Sequence, residues 1–366
     1  MSNLISNKTR YDAIDGLRAY SSIGIVLMHV LTNGNYALSG FVFEDLILSF
    51  TNLVLLFMVV SGFSLCCGYF HKIVNNKISV NEFYSKRYAK IWPFFALLCI
   101  LDFVISPSEN ALYEMFANLT LCFGLLPNAN ISVIGVGWFL GLVFVFYLAF
   151  PFFCYLLSNK KRAWLSFVAA LVFHYLCTVR FAAGRANIVY SAMFFFAGGM
   201  IFLYKETLQK IAEKYCWILL AGILALVAIY YMVSSGGYVM LMLFSAMLIY
   251  ALRDSEKACI LSNFFTKFLS GISLEMYLSH MVIFRIIEKL GMTKLFASDL
   301  LSYIVTSVGT IVGTIVFSLV GQKLLAYIVK NKFFRRALHE KNQISASLVA
   351  GMLYCILCSE PNLLFI

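Results

Sequence analysis

Apolar residues in this chain run together for stretches of about 17 to 25 positions, the length a helix needs to cross a bilayer. Such runs lie near residues 15–34, 46–69, 88–106, 136–157, 163–179, 187–204, 216–233, 237–252, 266–286 and 300–328. They are continuous and do not alternate at period two, which favours a helical bundle over a transmembrane barrel. The pattern therefore predicts an all-α, polytopic transmembrane bundle of about ten spans. Residues 1–330 form the membrane-embedded unit, residues 331–366 a cytoplasmic or membrane-associated tail, and no stretch is long and polar enough for a separate soluble domain.

Two segments test that count. Residues 111–126 are apolar but carry Glu114 and Asn118 and stop before Pro127, which reads as an interfacial or re-entrant helix on the outer side. The tail stretch 344–358 is short for a crossing and reads as a helix lying on the membrane or packed loosely against the bundle. Basic residues then orient the bundle. With the N-terminus cytoplasmic, five of the 28 Lys and Arg, namely Arg180, Arg185, Arg285, Lys289 and Lys294, fall in outer segments and 23 fall inside. That asymmetry follows the positive-inside rule and predicts two cytoplasmic termini. The first span has a basic flank but contains Arg18 and His29, and no small-x-small cleavage site follows it, so it reads as a retained helix.

Composition agrees with this picture. The chain of 366 residues is 62% hydrophobic and 12% charged, against roughly half and a quarter in soluble domains. A net charge of +11 would suggest nucleic acid in a soluble protein, but here position assigns most of it to orientation, so no nucleic-acid partner is expected. The ten cysteines sit mostly in apolar runs and act as small hydrophobes, and no metal site is expected; Cys355 and Cys358 have redox spacing without a redox context.

Ionisable side chains inside spans are costly and are the first candidates for function. Arg18 and His29 are eleven residues apart, about 20° past three full helical turns, so they share one face at about 16 Å separation along the axis. Arg18 falls at the cytoplasmic rim, where a planar cationic fork suits a phosphate, and His29 falls near the midplane, where an imidazole suits proton transfer. The plainer alternative is an interfacial anchor and an interhelical hydrogen bonder. Arg87 and Lys90 share a helix face in the inner loop Lys86-Arg87-Tyr88-Ala89-Lys90, either to clamp a diphosphate or only to hold topology. Glu275, Tyr277, Ser279 and His280 form a third polar group, lining a cavity or making a structural network. His174 and Asp102 read as packing or boundary residues.

These residues carry a resemblance. Arg18, ten intervening residues and His29, preceded by Ile14-Asp15-Gly16-Leu17, resemble the signature of acyltransferase family 3, a family of polytopic membrane proteins. Phe57 to Phe63 resembles its Phe-Phe-x-x-Ser-Gly element, with Ser61 as the serine. Arg87 to Pro93 resembles its basic loop, Trp138-Phe139-Leu140 its Trp-aromatic-Leu, and Tyr277-Leu278-Ser279-His280 its Tyr-Leu-x-His. The likeness runs over about residues 10–330. Two positions depart from it. Lys90 stands where the family usually has a second Arg, keeping the charge and losing the bidentate fork, and Met58 replaces an aromatic. Some members also carry a C-terminal esterase-like domain, which is not expected here.

The resemblance implies transfer of an acyl group, often acetyl, from cytoplasmic acyl-coenzyme A to a hydroxyl of a carbohydrate or lipid-linked glycan. Arg18, Arg87 and Lys90 would bind the donor and His29 would be the general base, with an acyl-His intermediate as the alternative. Asp15 would orient Arg18, and Ser61, Trp138, Glu275, Tyr277 and His280 would support the acceptor side. The expected setting is a bacterial inner membrane and an O-antigen, capsule or exopolysaccharide acceptor. Competing readings are a transporter or flippase of an acyl or glycan species, and an assembly subunit of a polysaccharide export complex.

Overall fold

A computed structural model describes residues 11–105, 107–125, 136–253 and 260–330. These residues are helical throughout their regular parts, with no strand among them. Helices stand at all ten predicted positions. They are α1 (Ala13–Asn33), α2 (Val42–Val74), α3 (Val80–Ile105), α4 (Glu109–Thr120), α5 (Trp138–Leu157), α6 (Lys160–Val179), α7 (Ile188–Leu203), α8 (Lys205–Lys214), α9 (Cys216–Met232), α10 (Gly237–Tyr250), α11 (Phe264–Gly271), α12 (Ser273–Lys289) and α13 (Asp299–Lys330). Five of them, α1, α2, α5, α6 and α13, are long and apolar enough to cross a membrane by themselves. A sixth span arises if α7 and α8 are taken together, although they meet at an 82° bend.

The sequence positions most of these helices because an apolar segment in lipid must satisfy its backbone internally. Ends are set by side-chain caps: Asn159 accepts from the Lys161 and Arg162 amides, Asn187 from the Val189 amide, and Asn263 forms a capping box with Thr266. Two features were not foreseen. The predicted span 266–286 is broken at Ile272 into α11 and α12, and α2 contains π turns at Val42–Leu46 and Cys66–Phe70 with a 3-10 turn at Phe50–Asn52. Helix α4, in the segment read as interfacial, has 12 residues and so spans about 18 Å, too short to cross. The stretch 344–358 and the Cys355/Cys358 pair lie outside the described residues.

Helix α13 shows the environment most directly. Ser302, Thr306, Thr310, Thr314 and Ser318 recur every fourth residue and are buried, whereas Val308, Val312, Val316 and Val320 are exposed. Polar groups inside and branched aliphatics outside reverse the order of a water-soluble helix, and the exposed ridge suits hydrocarbon. One of these hydroxyls, that of Thr310, donates to the Thr306 carbonyl of its own helix at 2.7 Å.

The centre of the bundle is the pairing of α2 with α7. A Cβ at Gly62 would stand 2.3 Å from the Phe195 carbonyl oxygen, and one at Gly198 would stand 2.1 Å from that of Val59, so the two backbones touch where only glycine fits. Around this contact Phe146 stacks on Phe195 at 4.0 Å between ring centroids, with Phe150 and Phe153 edge-on beside them. Helix α1 packs against α2, α11, α12 and α13, so its polar residues face protein on several sides.

Candidate active site

The first functional side chains emerge from the start of α1. Gly16 lies against the Leu261 backbone, whose oxygen would be 2.4 Å from an added Cβ. That approach seats α11 on α1, so Ser270 donates to Asp15 Oδ1 at 2.7 Å. Asp15 Oδ1 stands 3.9 Å from Arg18 Nη1, and Arg18 Nη2 donates to Ser64 Oγ on α2 at 2.8 Å. Arg18 is thereby held between two helices, with its side chain still 31% exposed. Helix α3 adds Arg87, whose Nη2 donates to Tyr69 OH at 2.5 Å while the guanidinium lies 4.6 Å from the Tyr69 ring centre and 5.9 Å from that of Tyr147.

Lys90 is exposed one turn further along α3, within electrostatic reach of Arg18, Arg87 and Glu275. Glu275 accepts from Gln322 of α13 at 2.8 Å. Three cations from α1 and α3 therefore share one end of the bundle with the carboxylates of Asp15 and Glu275. Such a patch attracts a polyanion, and both guanidiniums are fixed by hydroxyl partners that leave further N–H donors free to bind.

The second cluster lies along α1. His29 sits four residues before the end of the helix, nearer that end than the middle, and is half-buried. Its ring centroid is 5.0 Å from that of His280, which is fully buried on α12. His280 Nδ1 is 2.7 Å from the Tyr277 carbonyl oxygen and 3.3 Å from that of Met276. A carbonyl can only accept, so Nδ1 carries the proton and Nε2 presents its lone pair. That Nε2 atom is buried without a hydrogen-bond partner among the described residues. The Tyr277 hydroxyl donates to the Val136 carbonyl at 2.7 Å, and its ring meets Phe57 and Phe139.

Other expected residues have plainer surroundings. Ser61 makes no side-chain hydrogen bond among the described residues, and its neighbour Gly62 is what brings α2 onto α7. Trp138 is half-buried at the start of α5, under the guanidinium of Arg185 at 5.4 Å. Ser279 donates to the Glu275 carbonyl of its own helix. His174 is buried against Tyr190 and 3.0 Å from its carbonyl oxygen. No group of three or more His, Cys, Asp or Glu converges among the described residues.

A family model described as an acyltransferase domain matches residues 11–320, more than four fifths of the chain. The chain belongs to acyltransferase family 3. No curated protein and no solved structure matches it. As a member of that family, with several helices able to span a bilayer, it is a membrane acyltransferase by class. The acyltransferase match covers both polar clusters and every residue placed in them except Gln322.

Several residues around these clusters escaped sequence reasoning. Ser64, Tyr69, Tyr147, Ser270 and Gln322 carry no motif and join the site only through packing. The sequence places Arg185 in an outer loop, yet its guanidinium reaches Thr51 of α2 and the Trp138 ring. That it is one of only five basic residues the sequence pattern assigns to outer segments is the sole signal available.

Proposed function

We propose that the protein is an integral membrane O-acyltransferase that moves acetyl from cytoplasmic acetyl-coenzyme A to a hydroxyl of a bacterial surface polysaccharide. The observation that carries this reading is the division of labour along α1. A cluster of cations with ordered guanidiniums lies at Arg18, and an imidazole pair lies eleven residues away, about 16 Å along the axis. A donor with phosphates at one end and a thioester at the end of a long flexible arm fits those two stations. Arg18, Arg87 and Lys90 bind the phosphates, and the arm leads the thioester toward His29.

His29 is the accessible member of the pair and takes the proton of the acceptor hydroxyl. The oxygen attacks the thioester carbonyl, the carbon–sulfur bond breaks, and the thiolate leaves with the proton returned by His29. His280, buried behind, keeps its own tautomer through Tyr277 and offers Nε2 to the His29 ring, a positioning role usually filled by a carboxylate. Asp15 orients Arg18 from one turn away. Both termini are assigned to the cytoplasm and the bundle to the inner membrane, consistent with the 23 inner basic residues.

Purified full-length protein with labelled acetyl-coenzyme A and the glycan fraction of its host cells tests the reading. Free thiol should appear together with labelled glycan, and His29→Ala at normal membrane level should abolish both. Transport of label without thiol release, or full activity in His29→Ala, contradicts it.

A further inference from the structure

The segment between α6 and α7 is built to present one side chain. The Ala183 amide donates to the Cys177 carbonyl at 2.9 Å, the Asn187 amide to that of Gly184 at 2.9 Å, and the Ser191 hydroxyl to the Arg185 carbonyl at 2.8 Å. Arg185 is thus pinned by its own backbone and aimed inward. Its Nη1 donates to Thr51 Oγ1 at 2.8 Å and to the Thr51 carbonyl at 3.3 Å, and the guanidinium covers Trp138. One residue so joins α2, α5 and the start of α7, and from Trp138 a chain of ring contacts runs through Phe139 and Tyr277 to His280.

Two properties of Arg185 remain unused by this packing. The guanidinium has five N–H donors, and among the described residues Nε and Nη2 have no hydrogen-bond partner and no carboxylate pairs with the group. Its charge is also unopposed, and no carboxylate forms an ion pair with either imidazole among the described residues. A base that gains a proton beside a fixed cation leaves two positive charges together at low dielectric. The oxyanion that forms as His29 takes the proton offsets one of those charges, and an anionic group on the acceptor would offset the other.

We infer that Arg185 and Trp138 form an acceptor subsite for a hexopyranose bearing an anionic substituent, a carboxylate or a phosphate, next to His29. The inference rests on the acyltransferase reading and narrows its acceptor. The guanidinium fork takes the anion in a charge-assisted, two-point contact, and the indole supplies the flat apolar surface that a sugar ring covers. The anion then lies close enough to offset the charge His29 acquires during transfer.

The test is equilibrium binding of three probes to the full-length protein in phosphatidylcholine nanodiscs, followed by ligand-observed NMR. The probes are methyl glucuronide, glucose 6-phosphate and methyl glucoside, which separate carboxylate, phosphate and neutral sugar. At least one anionic probe should bind about tenfold or more tighter than the glucoside, the span expected of a charge-assisted pair. Arg185→Gln should bring that ratio close to one, and Arg185→Lys should keep part of it, which a purely structural arginine would not do. Equal affinity for the three probes, a uniform lack of binding included, or a preference that survives in Arg185→Gln overturns the subsite. Release of thiol that depends on His29, measured separately, decides the acyltransferase reading.

Discussion

Replacing Gly198 by alanine perturbs the site without touching any polar group in it. The added Cβ would stand 2.1 Å from the Val59 oxygen and 2.6 Å from the Phe63 amide nitrogen, both backbone atoms of α2. Reaching even 3.0 Å, the limit real Cβ atoms respect, requires α2 and α7 to part by about 0.9 Å. Helix α2 carries Ser64, Tyr69 and Thr51, the partners of Arg18, Arg87 and Arg185, so one shift stretches the contacts of all three arginines. Overpacking of this kind costs about 1–3 kcal/mol, and a misplacement near 1 Å costs on the order of a hundredfold in rate. Gly198→Ala should therefore unfold several degrees lower by intrinsic fluorescence in detergent and lose most thiol-release activity. Gly222→Ala is the control, because nothing lies within 4 Å of its Cβ, and it should stay near wild type on both readouts. A Gly198→Ala protein with wild-type unfolding temperature and turnover would refute the argument that backbone contact between α2 and α7 sets the site.

His280→Gln should lower kcat about tenfold to a hundredfold with the KM for acetyl-coenzyme A unchanged; a raised donor KM at full kcat would place His280 in donor binding instead. For Arg18→Lys, which keeps the charge but loses the fork between Asp15 and Ser64, the donor KM should rise about tenfold, and an unchanged KM would return Arg18 to an anchoring role. Glu82→Ala removes an exposed pair with Lys86 and should leave the thermal unfolding temperature near that of the wild type.

How far the sequence speaks depends on the range of the contact. Helix positions are local, since a long apolar run in lipid has few other backbone solutions, and the placement of Arg18 and His29 on one helix face follows from the helical repeat alone. Gly16 and Asp15 also carried a family motif, though their work, seating Leu261 and Ser270, required the fold. The imidazole pair joins residues 251 apart in the chain, and the Arg185–Thr51 contact spans 134. Nothing in the periodicity of either segment encodes such a meeting. The break at Ile272 was hidden for a similar reason: apolar residues continue through it, and hydropathy does not record a change of direction.

Helix α13 bears on how the protein is made. Its outer ridge is aliphatic and the Thr310 hydroxyl bonds within the helix, which suits entry into the bilayer as one hydrophobic unit. It is also the last described helix to leave the ribosome, and it brings Gln322, which holds Glu275 beside the cationic cluster. Arg18, Arg87 and Lys90 are in the membrane long before that. The nascent protein thus passes through a stage in which its cations are assembled but one of the neighbouring carboxylates lacks its partner, and docking of α13 is the step that completes the patch.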